Sequence, residues 1–190
     1  MRKIKWLVHS SLDGFAAGLA GEMDWIGLDE EIFDYVATLV DSAGTALYGR
    51  TTYEMMQAYW PSAGYRPGAT KHDREHSLWY NRVEKIVLSR TLHGLKIRKT
   101  FILGGQAEEA VRQMRALGQG DILMLGSPSV ARQLIAHDLI DTYWIFVQPV
   151  LLGEGIPLFP DTARRTSLEA GTVRTFQRGV RFLEYHKAGN

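Results

Sequence analysis

Four short segments of this 190-residue chain bring together residue types suited to holding an anion. Gly49-Arg50-Thr51-Thr52-Tyr53-Glu54 places a glycine, a guanidinium and two hydroxyls at a helix start. Exposed N–H groups and the helix dipole favour an anion there, and a guanidinium can fork onto a phosphate. Gly126-Ser127-Pro128-Ser129 follows the most apolar run of the sequence, and its N–H groups suit a pyrophosphate, with two hydroxyls as further donors. Ser89-Arg90-Thr91 again sets a cation and hydroxyls after a strand-like run. Gly104-Gly105 competes less well because no hydroxyl follows to cap its helix. Plain structure accounts for the same residues: a capped helix start, a solvated turn, or Ser127 capping a helix with Pro128 as its first residue. No segment is a full Gly-x-Gly-x-x-Gly or a Walker loop, so on the residues alone nucleotide binding stays an open alternative.

Asp13-Gly14 lies in a turn after the first apolar run. A carboxylate there can bind a ribose hydroxyl or manage a proton, or simply close an Asx turn. The histidines form no His-Glu-x-x-His pattern; His72 and His76 are four apart but lack an obvious third ligand, so no metal site is assigned. No Gly-x-Ser-x-Gly elbow supports hydrolase chemistry.

Composition removes other classes. Lys plus Arg is 22 and Asp plus Glu is 21, so the charge of +1 leaves no basic excess for a nucleic-acid groove. Cysteine is absent, which removes disulfides, thiolate catalysis and cysteine-ligated metals. An apolar fraction of 45% with 23% charged residues fits a globular chain. The opening Met1-Arg2-Lys3-Ile4-Lys5-Trp6-Leu7-Val8 does not read as a signal segment, and no apolar run is long enough to span a membrane. A cytoplasmic protein is expected.

The elements that must position these residues alternate in type. Strands are expected over 4–9, 43–48, 85–89, 100–103, 121–125 and 142–152, with a hairpin over 172–187 turning at Gln177-Arg178-Gly179. Helices are expected from Asp29 through Val40, from Thr51 or Thr52 until Pro61 stops it, over 107–117 and over 130–137; residues 61–73 read as loop. The 121–125 run is apolar almost throughout and should be a central strand. Alternation implies one α/β domain over 1–190, with a mainly parallel sheet covered on both faces and an antiparallel C-terminal edge. Ligands of such sheets sit at the carboxyl ends of the strands.

Taken in order, Ser11-Leu12-Asp13-Gly14-Phe15, Gly49-Arg50-Thr51-Thr52-Tyr53-Glu54, Leu88-Ser89-Arg90-Thr91-Leu92 and Pro149-Val150-Leu151-Leu152-Gly153-Glu154-Gly155-Ile156-Pro157-Leu158-Phe159 resemble the dihydrofolate-reductase-like family that contains the reductase domain of bacterial riboflavin biosynthesis. Gly21-Glu22-Met23-Asp24-Trp25 and the stretch 134–141 look like it too. The resemblance implies a three-layer α/β fold in a stand-alone form, with NADPH lying across strand ends. Arg50 and Thr51 would meet the adenosine end, with Gly49 and Thr52 in the same turn. Ser89 and Arg90 would lie near the 2′-phosphate, followed by Thr91. Gly126, Ser127, Pro128, Ser129 and Val130 would hold the pyrophosphate. Leu12, Asp13 and Gly14 would line the nicotinamide and substrate side, with the loop to Trp25 as a cover. Leu152, Gly153, Glu154 and Gly155 would border the substrate. The family usually has paired glycines where this chain has Gly126-Ser127, which shifts the expected pyrophosphate contact.

The reading is an NADPH-dependent reductase of a small heterocyclic substrate, similar to 5-amino-6-(5-phosphoribosylamino)uracil reductase, with Asp13 as the candidate for substrate binding or proton handling. Alternatives are a dinucleotide-binding regulator without turnover, or a dihydrofolate reductase. The last needs an inward-facing acid on the helix after the first loop, where Asp29, Glu30, Glu31 and Asp34 all qualify by type. A homodimer is expected because 142–152 is apolar on both faces and needs cover on each. No nucleic acid or membrane partner is expected.

Overall fold

The structure is a computed structural model that describes residues 1–92, 97–104, 107–159 and 165–188. Its elements in chain order are β1 (Ile4–Ser10), β2 (Phe15–Ala17), α1 (Glu30–Val40), β3 (Ala43–Gly49), α2 (Arg50–Ala63), α3 (Lys71–Arg82), β4 (Glu84–Leu88), β5 (Thr100–Leu103), α4 (Ala107–Ala116), β6 (Asp121–Leu125), α5 (Pro128–Ala136), β7 (Thr142–Val147), β8 (Ile156–Pro157), β9 (Leu168–Thr175) and β10 (Arg181–Lys187). Eight strands follow the order β5-β4-β3-β6-β1-β7-β10-β9, and β2 pairs with β8. The β3–β4, β4–β5 and β1–β7 pairs are parallel, whereas β7–β10 and β10–β9 are antiparallel. The α/β class, the central β6 and the antiparallel C-terminal strands are as the alternation implies.

The chain packs as two compact units, Met1–Arg2 with Leu28–Leu123, and Lys3–Gly27 with Met124–Asn190. In the first, α1 buries Ile32, Val36 and Val40, the stripe expected of a helix opened by Asp29, whose side chain accepts the Ile32 amide. The α2 and α3 helices enclose Tyr53, Trp79 and Tyr80. In the second, Trp6, Phe146, Val180 and Phe182 are fully buried or nearly so. Even-numbered β7 residues share a face with odd-numbered β1 residues, since Lys5 pairs with Thr142 and His9 with Phe146.

Several expectations are corrected. The α2 helix starts at Arg50 on Gly49, and neither threonine caps it. Pro61 lies inside α2, which runs on to Ala63. A proline removes one intrahelical bond there, yet the helix continues two residues past it to the buried Ala63. The segment read as loop ends in α3, whose start is a capping box between Thr70 and Asp73. The strand expected to reach Leu152 stops at Val147, and Pro149 cannot continue a ladder. With β1 on one side and β10 on the other, β7 is buried within the single chain, so its apolarity no longer argues for a partner. Of the Gly104-Gly105 turn, Gly105 lies outside the described residues, as does His93.

Candidate functional site

Strand ends supply the candidate residues of each unit. In the first unit, Gly49 pairs in register with Leu88, so the turns that open at Arg50 and Ser89 leave neighbouring parallel strands at the same end. Arg50 is exposed, and its guanidinium lies 3.9 Å from the Glu54 carboxylate one helical turn on. That is a loose surface pair, worth at most about 0.5 kcal/mol. Thr51 is exposed and Thr52 half-buried. The Ser89 hydroxyl accepts the amides of Thr91 and Leu92 at 3.2 and 3.0 Å, closing a turn that leaves Arg90 and Thr91 in solvent. The Ser89 amide donates to the Leu103 carbonyl at 3.1 Å, so the end of β5 joins the same edge with Gly104.

In the second unit, β6 ends in two consecutive left-handed residues, Gly126 at φ 52° and Ser127 at φ 56°. The Gly126 amide donates to Leu7 at 2.9 Å, and the Trp6 indole donates to the Gly126 carbonyl at 2.7 Å, which clamps the turn onto β1. Ser127 stands at the N-cap of α5 with Pro128 next, as expected, but its side chain does not cap the helix. Its hydroxyl turns back onto the Leu125 carbonyl at 3.0 Å. The α5 start thus has no side-chain cap, with Ser129 exposed and Val130 buried beneath it. The left-handed backbone at 127 explains why glycine suits this position.

Asp13 stands after β1, exposed, with its carboxylate on the Leu152 amide at 3.1 Å and the Gly153 amide at 2.7 Å. The Ser11 hydroxyl first, then the Gly153 and Leu152 amides, hold its carboxyl below the usual range. Such a group is ionised at neutral pH and suits an acceptor, not a proton donor. Gly14 takes φ 86°, Leu12 points its side chain into solvent, and the Leu12 amide donates to Val150. The geometry therefore brings Leu12, Asp13, Gly14, Leu152 and Gly153 together. Glu154 is exposed, and Gly155 leads into β8, where a Cβ would fall 2.3 Å from the Ala17 carbonyl oxygen, so only glycine fits. Trp25 is half-buried, its indole donating to Glu22 at 3.1 Å.

Two residues that the motifs did not mark belong to this edge. Gln148, just beyond β7, is bonded both to the Gly27 amide and to the His9 ring. No short spacing announces them, because the contact spans 139 positions.

The acids considered for a dihydrofolate reductase are differently engaged where their bonds are known: Asp29 caps α1, and Asp34 pairs with Lys71 at 2.7 Å. His72 stacks on Phe33 with centroids 3.7 Å apart, and His76 packs between Trp60 and Trp79. Burial pushes His76 down to about 3, as suits a neutral packing ring. Among the described residues no three His, Asp or Glu side chains gather as a metal set, and no helix is long and apolar enough to cross a membrane.

The sequence pattern of the RibD C-terminal domain matches residues 2–182. The uncharacterized protein YyaP of Bacillus subtilis (strain 168) is 32% identical over 181 residues, 94% of this chain and 92% of that protein. A protein of Shewanella sp. PV-4, provisionally assigned to riboflavin biosynthesis, superposes with a TM-score of 0.77 at 22% identity over the full length of both chains. The diaminohydroxyphosphoribosylaminopyrimidine deaminase/5-amino-6-(5-phosphoribosylamino)uracil reductase of Thermotoga maritima superposes with a TM-score of 0.68 at 15% identity, over 98% of this chain and 57% of that one. The fold is that of the riboflavin-pathway reductases, and the chain belongs to the RibD C-terminal domain family.

Proposed function

We propose that this protein is an NADPH-dependent reductase of a small planar heterocycle. The observation that carries the reading is the turn after β6. Consecutive left-handed residues followed by a helix start without a side-chain cap set the positive end of the α5 dipole at this turn, with the exposed Ser129 in its first helical turn, an arrangement that suits a pyrophosphate. Gly126 to Val130 would hold it. Arg50, Thr51 and Thr52 on Gly49, with Ser89, Arg90 and Thr91 at the neighbouring strand end, are the residues for the adenosine end and its 2′-phosphate. When bound, the nicotinamide supplies hydride. The chain's own part is positioning: Asp13 fixes the backbone of Leu152 and Gly153, and Leu12, Gly14, Trp25, Glu154 and Gly155 shape the substrate side. The uracil reductase named for the Thermotoga protein makes a pyrimidine the first substrate class to try.

The same reading makes the protein a cytoplasmic homodimer. Its support is β9, an edge strand exposed at every residue and paired, among the described residues, only on its β10 side. Antiparallel pairing of two copies about a two-fold through Gly171 and Thr172 sets Glu169 against the partner's Arg174, twice.

The test is a titration with NADPH and NADH, in wild type and in Arg50→Ala plus Arg90→Ala. A charge-assisted contact to the 2′-phosphate is worth about 1.5–3 kcal/mol, so NADPH should bind about ten- to a hundredfold more tightly, and the double variant should lose that margin. NADPH oxidation with 5-amino-6-(5-phosphoribosylamino)uracil and with dihydrofolate then separates an enzyme from a binding module. Equal wild-type affinities for the two cofactors would sink the assignment.

A further inference from the structure

Gln148 is almost fully buried, yet every polar atom of its side chain is used. Its amide oxygen accepts the Gly27 N–H at 3.1 Å, and its amide nitrogen lies 3.1 Å from His9 Nδ1. A backbone N–H can only donate, so the atom facing Gly27 must be the oxygen and the NH2 must face the imidazole. An amide NH2 in turn only donates, so Nδ1 must accept and the proton of the neutral ring sits on Nε2. Burial pushes His9 down to about 4, which keeps the ring neutral at physiological pH.

The plane of the ring is fixed as well. It stacks on Phe146 at 5.0 Å and 29°, and Phe146 packs in turn against Phe176 and Phe182. His9 is intermediate in burial as a residue, and among the described residues Nε2 has no hydrogen-bond partner. His9 lies three residues before Leu12 and four before Asp13, and Gln148 ties its ring to Gly27, two residues after Trp25. The Asp13 carboxylate on this edge is occupied by the Leu152 and Gly153 amides, whereas the Nε2–H of His9 is a preset donor.

We propose that His9 is a substrate-binding residue whose Nε2–H, oriented by Gln148, donates to a carbonyl oxygen or ring nitrogen of an uncharged planar heterocycle. This rests on the reductase reading and deepens it. A neutral, directional donor selects an acceptor edge without favouring anions, and Gln148 acts as the positioning residue behind it. Loss of the Gln148 amide should release both the tautomer of His9 and the Gly27 end of the loop.

The experiment uses the whole protein with histidine labelled by 15N and saturated with NADPH. Uracil and 5-amino-6-(5-phosphoribosylamino)uracil are the probes. Wild-type His9 should show one neutral tautomer protonated at Nε2, and the pyrimidine probes should shift that resonance. His9→Phe should weaken probe binding by about tenfold while leaving NADPH affinity unchanged. Gln148→Leu should mix the tautomers and weaken the probe in the same direction. His9→Asn, which keeps a donor, is the substitute should the Phe variant not fold, and it should retain more probe affinity than His9→Ala. A wild-type ring protonated at Nδ1, a bound probe that leaves the His9 signal in place, or failure of both probes to bind overturns the inference. Failure of NADPH itself to bind removes the reductase reading instead, so the two outcomes are distinct.

Discussion

The carboxylate of Asp13 accepts the amide hydrogen of Gly153 at 2.7 Å, joining residues 140 apart in the sequence. That bond, with the one to the Leu152 amide, gives the acid after β1 a defined task in holding the backbone that borders the proposed substrate.

Asp13→Asn therefore tests positioning. An asparagine oxygen standing where Oδ2 stands still accepts both loop amides, but the NH2 that replaces Oδ1 then faces the Leu152 N–H, donor against donor, and the charge is gone. Turnover on an identified substrate should fall by about tenfold or more in kcat/KM, with NADPH affinity little changed. The melting temperature should drop only slightly. Because the folded carboxyl titrates below the ordinary value of 3.8, its stabilisation is present above that pH and is lost as pH falls through the lower folded value. The Asn variant should lack that acid-side loss. Undiminished turnover with a normal acid profile would show that the contact is an idle turn.

Ser127 offers a sharper backbone test. A side chain at φ 56° costs about 1 kcal/mol, and its hydroxyl bond to Leu125 recovers a similar amount. Ser127→Gly should therefore change stability by less than about 1 kcal/mol and leave NADPH binding intact. Ser127→Val, β-branched at the same φ, should destabilise by about 2 kcal/mol or more. Ser127→Asp sets an anion beside the proposed pyrophosphate and should weaken NADPH by about tenfold, while NMR spectra of the folded protein stay close to wild type.

The dimer is checked by charge exchange on β9. Light scattering should give about twice 21.4 kDa. Glu169→Arg should weaken association by setting like charges opposite each other. Adding Arg174→Glu to it should restore association. A particle of 21.4 kDa at micromolar concentration rejects the dimer outright.

How far the sequence carries can be read from particular residues. The parallel strands and their glycine turns are local patterns, and β3, β4, β5 and β6 appear within a residue or so of their expected bounds. The α3 helix escapes because its mean composition is polar and a proline with two glycines precedes it, yet Thr70 and Asp73 mark its start by the capping-box spacing. The end of β7 was set by Pro149, a signal available in the sequence and outweighed there by the apolar run that follows it. The ribbon of β2 and β8 depends on Gly155 meeting Ala17, a tertiary contact that no periodicity foretells. Likewise Asp13 is legible as a turn residue, but its partners lie on a distant loop. His9 and Gln148 look like ordinary strand residues until β1 and β7 are laid side by side.

Lys85 gives the pH prediction of greatest consequence for stability. It lies on β4, 4% exposed, with its ammonium on the Val83 carbonyl at 3.1 Å and 4.4 Å above the Tyr80 ring. Burial, and secondarily the charge of Lys99, pushes it down to about 8 from 10.5. The folded state thus disfavours the charged form, and the penalty is fully present below pH 8, where both states are protonated. Between pH 8 and 10 the unfolded chain holds more protons than the folded one, so unfolding free energy should rise with pH. The rise should be of the order of a few kcal/mol, at about 1.4 kcal/mol per pKa unit. Above pH 10 the buried Tyr48 and Tyr80, both raised, work in the opposite direction and end the useful window. Lys85→Met keeps the length of the side chain, removes the charge and should stabilise the protein at pH 7 while flattening the curve between pH 8 and 10. Urea unfolding at pH 7, 8, 9 and 10 checks both effects. Parallel curves for wild type and variant would mean that the ammonium is better solvated in the fold than its contacts indicate.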